Sequence, residues 1–490
     1  MKIPKIINSV IIASLILSLC SCGNSGSSVQ PDDSADVTEQ TAENKTTADE
    51  ITFLPAGFDL CGETYSILHG QTINEGDTEN EVTYDLADLS GDIIQDSVYN
   101  RTRMTEEKLN IKITSRHIEW GELGSYISKS VLADDHEFDA ICGRMKILSA
   151  ASINSMLYDL KKIGTLALNS EWWDQGVNSS VTVYGKQYLA TGDFNYYDDY
   201  SVGCMYFNKK HFENRNIPEP YQLVRDGSWI FDEFYSIIKD AAEDLNGDGV
   251  FDENDFYGYV ANLALLSSMM SAFGEQLIFT DADGNMTLNT TVSIINKAQM
   301  VADAMLNNDS VLIEERKLGY EKGDLIFPNG QALMTQGLIG GIQGYRSLME
   351  DDFGVLPYPK YEQEQEGYHC ISSEGWASAI SVPVNCRYIE NIGYILDTMG
   401  YYSIDTVTEA VIETTIMNKG IRDTDSEEML RIVFKSKFFD TSCVYDWGIY
   451  GTWCDMTFKT NPEIASSLAK KETSIGKTLE NVVDIFAELP

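Results

Sequence analysis

The sequence predicts an α/β fold divided into two lobes. Two observations carry that expectation. From residue 65 to residue 142, short apolar strands alternate with helical spacing, the order that produces α/β layers with mainly parallel sheets. The globular part, about 435 residues, also exceeds what one hydrophobic core usually supports.

Taken in order, residues 65–69 (YSILH) read as a buried strand closed by the turn Gly70-Gln71-Thr72. Residues 92–109 place Ile93, Ile94, Val98, Met104 and Leu109 at helical spacing, and 110–114 (NIKIT) return to alternation. A helix over 123–132 and a strand over 138–142 (FDAIC), closed by Gly143, complete a β-α-β-α-β run. Later, 201–208 (SVGCMYFN) and 256–260 (FYGYV) read as strands. Residues 231–242 read as an amphipathic helix whose start makes Trp229 a core residue, and helical patterns such as 389–399 and 426–435 dominate the last third. The cluster 337–344 (GLIGGIQG) predicts a flexible junction, and 281–285 a turn.

The N-terminus predicts export. Lys2 and Lys5 precede an apolar run over 6–19, about 14 residues and shorter than the roughly 20 that cross a bilayer as a helix. The Leu19-Cys20-Ser21-Cys22 ending resembles a bacterial lipobox. In that family the cysteine at the cut carries a thioether-linked diacylglycerol, which points to Cys22 as the anchor; two acyl chains suffice for stable tethering. Residues 23–50 lack aromatics, Leu and Ile and are rich in acids, as expected of a disordered spacer, with ordered sequence resuming near 51–58.

Net charge is −41, and −43 once Lys2 and Lys5 leave with the signal. Such a field repels phosphate backbones and anionic headgroups, which argues against nucleic acid as a partner. Seven cysteines remain beyond the signal, an odd number without CxxC spacing, so neither a disulfide framework nor a zinc site is predicted. Cys443 and Cys454 are the one pair considered.

The sharpest local motif is 244–255, DLNGDGVFDEND. Asp244, Asn246, Asp248, Asp252 and Asp255 fall at loop positions 1, 3, 5, 9 and 12, Gly249 sits at position 6, and Val250 offers its carbonyl at 7. Ca²⁺ takes six to eight oxygens on such a bendable loop. Asp255 replaces the usual Glu, as in dockerin-type loops. A single loop suits a structural clamp better than a sensor.

Catalytic signatures are thin. The five histidines form no HExxH, GxSxG is absent, and the SxxK matches at Ser467 and Ser474 lack their partner motifs. Lys471 stands where a phosphate loop needs glycine. The sequence is read as that of a non-enzyme, with a surface-tethered glycosidase or esterase as the alternative because carboxylates are abundant. A calcium-organised adhesin predicts repeats, and none is visible.

Beyond these local readings, the order of the lipobox, the spacer, YFNKK at 206–210, GSWIFDEF at 227–234, the calcium-type loop, QALM at 331–334 and FGVLPYPK at 353–360 resembles the extracellular solute-binding lipoproteins of ABC importers, in the maltose-binding-like group. The resemblance covers about residues 60–460. It implies a two-lobed periplasmic-binding-protein-like fold (class II), with residues 55–195 and 338–378 in lobe 1 and 196–337 and 379–490 in lobe 2. It also implies a monomer that closes on a small solute, a carbohydrate, for delivery to an ABC permease.

Ligand contacts carried over are Gln71, Thr72, Gly143 and Arg144 on the first lobe's edge, Asp193, Tyr196 and Tyr197 at the first crossing, and Asn262 after the strand following the calcium loop. Trp376, Trp447 and Trp453 are stacking candidates. Leu338 and Ile339 occupy the place where sugar-binding relatives often carry an aromatic.

Overall fold

The computed structural model describes residues 51–71, 86–280, 286–373, 375–412, 414, 423–445, 447–458 and 463–489. Cys22, the spacer over 23–50, Thr72 and the turn over 281–285 lie outside the described residues. The chain separates into Met1–Phe53 and Leu54–Pro490, and every element below belongs to the second.

In chain order the strands are β1 (Glu63–Gln71), β2 (Ile111–Glu119), β3 (Ala140–Arg144), β4 (Gly203–Asn208), β5 (Tyr257–Ala261), β6 (Ile278–Thr280), β7 (Met286–Leu288), β8 (Val311–Ile313), β9 (Ala332–Leu338), β10 (Phe353–Leu356), β11 (Cys370–Ile371), β12 (Ser378–Ser381) and β13 (Lys437–Phe438). One sheet has the order β12-β3-β1-β2, with β1, β2 and β3 parallel and β12 antiparallel at the edge. The other runs β10-β4-β9-β5-β8, with β5, β8 and β9 parallel and β4 and β10 antiparallel. Two sheets, each covered by helices, make the two lobes.

Local chemistry sets these elements. Asp92 caps the helix Ile93–Leu109 by accepting from the Ile94 and Gln95 amides, and Asn110 ends it in the left-handed region at φ 50°. All residues of β4 and β5 are buried, as strands covered on both faces must be. Gly70 and Gly143 let the helix Trp120–Ala133 lie close on the first sheet. A Cβ at Gly70 would stand 2.4 Å from the Trp120 ring, and one at Gly143 would stand 2.7 Å from Leu123 Cδ2. Trp229 is fully buried and donates its indole N–H to the Pro357 carbonyl.

The lobe boundaries differ from expectation. Residues 338–378, expected in lobe 1, stay largely with the second sheet: β10 pairs with β4, after a 3₁₀ turn Ile339–Gly341 and the helix Ile342–Leu348 that replace the expected flexible junction. Residue 379 does not open lobe 2. It lies inside β12, which pairs with β3, and the following helix Ile389–Ser403 packs on Ile93–Leu109 in the first lobe. The chain then returns to lobe 2, where the helix Thr424–Lys435 lies against β10 and Ser426 meets the Tyr221 hydroxyl at 2.6 Å. Crossings between lobes carry no special composition, which is why sequence misplaced them. No disulfide joins any of the seven cysteines in the described residues; Cys454 Sγ accepts from Ser267 Oγ instead of bonding Cys443.

Candidate functional site

Three crossings lie side by side between the sheets. The Ser373 amide donates to the Ser201 carbonyl, the Ser372 amide donates to the Phe438 carbonyl, and β11 pairs with β13. Beneath them, Lys437 Nζ bonds Asp174 at 2.8 Å, Asp198 at 2.7 Å and Asp199 at 2.8 Å. These three carboxylates hold the buried ammonium's proton against desolvation, raising the Lys437 pKa well above its ordinary value. Asp193 adjoins this cluster. Burial lifts its carboxyl to about 7, opposed by the hydrogen bond from Thr408 Oγ1 at 2.9 Å.

Parallel strands deliver their C-terminal ends to one place. In the first sheet these ends are Gln71, Glu119 and Arg144; Gln71 and Glu119 are in register, and Arg144 pairs with Ser378 at the start of β12. In the second sheet Asn262 follows β5, Glu314 follows β8, and Gln336 to Leu338 close β9. Ligands of α/β sheets gather at such ends, where loops diverge and backbone groups face a crevice.

A cavity of about 270 Å³ occupies the second edge, lined by Asn262, Glu314, Asp324, Gln336, Ser373 and Trp376 among others. Gln336 is held by the Tyr259 hydroxyl, which donates to its Oε1 at 2.5 Å. Its Nε2 stands 3.4 Å from the Asn262 carbonyl. Trp376 is 49% exposed, and its ring meets the Arg144 guanidinium at 5.0 Å while Arg144 also lies 4.6 Å from the Trp120 ring. Trp376 therefore links the cavity on the second lobe to the edge of the first.

Of the residues read from sequence, Asn262 and Trp376 line this cavity, Arg144 stacks on Trp376, and half-buried Gln71 ends its strand at the same edge. The others are placed differently. Gly143 is buried and serves helix packing. Tyr196 is buried, stacked on half-buried Tyr197 with centroids 4.9 Å apart, and Asp193 belongs to the crossing cluster. Trp453 is buried where the helix Ile449–Phe458 packs on Leu263–Ala272, and Trp447 stacks on Tyr445 at 5.4 Å. None of these six lines the cavity, and the four aromatic ones serve packing instead.

Sequence reasoning missed Glu314, Asp324, Gln336, Tyr345 and Ser373 as cavity residues. Only Gln336 carried a signal: the apolar QALM run continues as strand through Gln336 to Leu338. Glu314 follows a strand of three residues, too short for a period-2 pattern.

The acidic loop precedes β5 and so lies at the opposite end of that strand from Asn262. Asp244 accepts from the Gly247 and Gly249 amides at 2.7 and 2.8 Å, Asn246 from Asp248, Asp248 from Val250, and Asp255 from Leu245 and Asp252. Among the described residues no three acidic, His or Cys side chains converge as a metal cage. The donors are all oxygen, which fits Ca²⁺ by chemistry while leaving the carboxylates turned to the loop's own amides.

No protein-family model and no curated protein matches the sequence. Solved structures do match its fold. An ABC substrate-binding protein of Listeria monocytogenes in complex with cycloalternan is 12% identical, with a TM-score of 0.53 over 86% of this chain and 99% of that one. The chain has the fold of ABC-importer solute-binding proteins. The GacH receptor of Streptomyces glaucescens, studied unliganded and with acarbose, is 11% identical at a TM-score of 0.52 over 86% and 99% of the two chains. A maltose/maltodextrin-binding domain of Bdellovibrio bacteriovorus bound to maltotriose is 15% identical at 0.50 over 86% and 100%. The two-lobed α/β class predicted from sequence is thus the class observed. Among the described residues no helix is long and apolar enough to cross a membrane.

Proposed function

We propose that this protein is a membrane-anchored extracellular solute receptor that binds a sugar or oligosaccharide between its lobes and delivers it to an ABC permease, without chemistry of its own. The observation carrying this reading is the meeting of both sheets' C-terminal edges at Trp376, beside three adjacent crossings. A half-exposed indole offers a face for a sugar ring, and Asn262, Gln336 and Ser373 offer donors and acceptors for hydroxyls. The sugars bound by the structural neighbours support the same class of solute. A hydrolase is disfavoured by the placement of acids. Glu314 and Asp324 stand on adjoining helices of one lobe, whereas glycosidases flank the scissile bond with two carboxyls.

Binding favours closure only through tighter contact with the closed state. Small-angle scattering and thermal shift across a broad glycan panel test this: a smaller radius with a raised melting temperature is expected for at least one glycan. An unchanged radius and melting curve across the panel would refute it.

Three further parts belong to this reading. Cys22 carries the lipid anchor, so Cys22→Ser should release the protein from the cell surface with binding intact; continued retention refutes the anchor. The receptor works as a monomer. Ca²⁺ is a structural ion held by Asp244, Asn246, Asp248, Asp252, Asp255 and the Val250 carbonyl, drawing together carboxylates that otherwise repel.

A further inference from the structure

We propose that the first-lobe edge of the cleft recognises a carboxylate, making the solute an acidic glycan that carries a uronate instead of a neutral one; this rests on the solute-binding reading of the same cleft. Arg144 ends β3, half-buried, with its guanidinium 4.6 Å from the Trp120 ring and 5.0 Å from the Trp376 ring. Those contacts engage the faces of the guanidinium. Its N–H donors lie in its plane, and among the described residues they form no hydrogen bond or ion pair. Nor does the side chain cap the helix Met145–Ile153 that follows. Arg103, Arg116, Arg215 and Arg225, by contrast, are each paired with a carboxylate. In a chain with 76 acids against 35 lysines and arginines, a cleft arginine kept from all of those acids points to one supplied by the ligand.

The strand register adds a second donor. β1 and β3 pair as far as His69 and Cys142, so Gln71 and Arg144, each two residues further on, stand level at adjacent strand ends. The half-buried Gln71 amide makes no side-chain hydrogen bond to a described residue and offers its N–H groups beside the guanidinium. Glu119 is level with Gln71 on β2, two strands from Arg144 and so roughly 10 Å away at ordinary strand spacing. A planar guanidinium matches a carboxylate bidentately, and such charge-assisted hydrogen bonds are roughly twice as strong as neutral ones. The opposite edge sets the ligand's direction. Glu314 and Asp324 line the second-lobe cavity, and carboxylates accept from hydroxyls and repel another carboxylate, so the ring hydroxyls face lobe 2 and the acid faces Arg144. The net charge of −41 does not cancel this contact, since charges beyond about 8 Å are largely screened at physiological salt.

The test is isothermal titration of the full chain with di- and trisaccharides containing glucuronate or galacturonate, each beside its methyl ester and its neutral hexose counterpart, at neutral pH and fixed salt. The acid form is expected to bind at least about tenfold tighter than either counterpart. Arg144→Gln should shrink that preference to within about threefold, and Arg144→Lys, which keeps the charge and loses the fork, should leave an intermediate one. Circular dichroism and melting temperature check the fold of both variants. Equal affinity for the three forms overturns the inference and leaves the sugar-receptor reading standing. So does a preference that survives Arg144→Gln, including one in which all three forms weaken together, since Arg144 then only braces Trp376. Binding confined to neutral glycans of the broad panel above has the same consequence, and binding by no glycan of either panel overturns both readings.

Discussion

The two sheet edges that meet at Trp376 are built from opposite chemistry. On the first lobe, the Arg144 guanidinium lies between the Trp120 and Trp376 rings, so its charge is already engaged by aromatic faces. On the second lobe, Asn262, Gln336, Glu314 and Asp324 line a cavity with polar side chains. In the proposed receptor, this difference divides the labour of recognition: the first edge offers a stacking surface, and the second reads the ligand's polar groups. Closure then requires a solute that satisfies both, which is how a small molecule shifts a two-lobed protein between states.

The crossing that joins the edges offers the strongest way to break this arrangement. Lys437→Met leaves Asp174, Asp198 and Asp199 buried or half-buried without their common cation. Loss of one partner of a buried ion network costs about 3–5 kcal/mol, which denaturant unfolding at neutral pH should record. A loss below about 1 kcal/mol would mean that the crossings are held by their backbone pairing alone.

Next in size is Trp376→Ala. Because the indole is half-exposed, stability should change little, while solute affinity should fall at least about 30-fold, about 2 kcal/mol, by titration. Unchanged affinity would move the stacking surface away from this residue and dissolve the proposed division of labour.

Asp193 tests the crossing through pH. Its carboxyl, raised to about 7, stays protonated in the fold at pH values where the unfolded chain has already released the proton. The folded state then binds more protons than the unfolded one between about pH 4 and 7, so this group makes stability fall as pH rises through that window and hold level above it. Asp193→Asn mimics the protonated form. The variant should match the parent near pH 4 and exceed it by about 1–2 kcal/mol at pH 8, less than the full displacement implies because water reaches the half-buried carboxyl. A constant difference across pH would show that Thr408 and Lys437 leave the carboxyl ionised in the fold.

The smallest effect on binding is expected from calcium. Chelation, or Asp248→Ala, should lower the melting temperature by removing an ion that favours the folded loop. Solute affinity measured well below melting should change less than about twofold, because the loop enters β5 at the end opposite Asn262. Loss of affinity in a folded protein would tie the loop to the site.

Sequence alone determined the class of the fold and much of its strand inventory. Short apolar runs such as 65–69 and 256–260 and the capped helix beginning at Ile93 are local patterns, enforced by burial of one face or both. It also offered Arg144, Asn262 and Trp376 as ligand contacts; in the fold Arg144 ends β3, Asn262 follows β5 and Trp376 lines the cavity, the strand-end positions where an α/β lobe exposes its loops. Tertiary structure decided the rest. Which lobe owns residues 338–412 depended on pairings of β10 with β4 and β12 with β3, contacts far apart in sequence that leave no periodic trace. Tyr196 and Trp453 look like ligand platforms in sequence and are packing residues in the fold, because an aromatic ring serves either role until its neighbours are known. Glu314 and Asp324 are two acids among 76 in the chain, and only the folding of two short helices after β8 sets them in one cavity beside Tyr345.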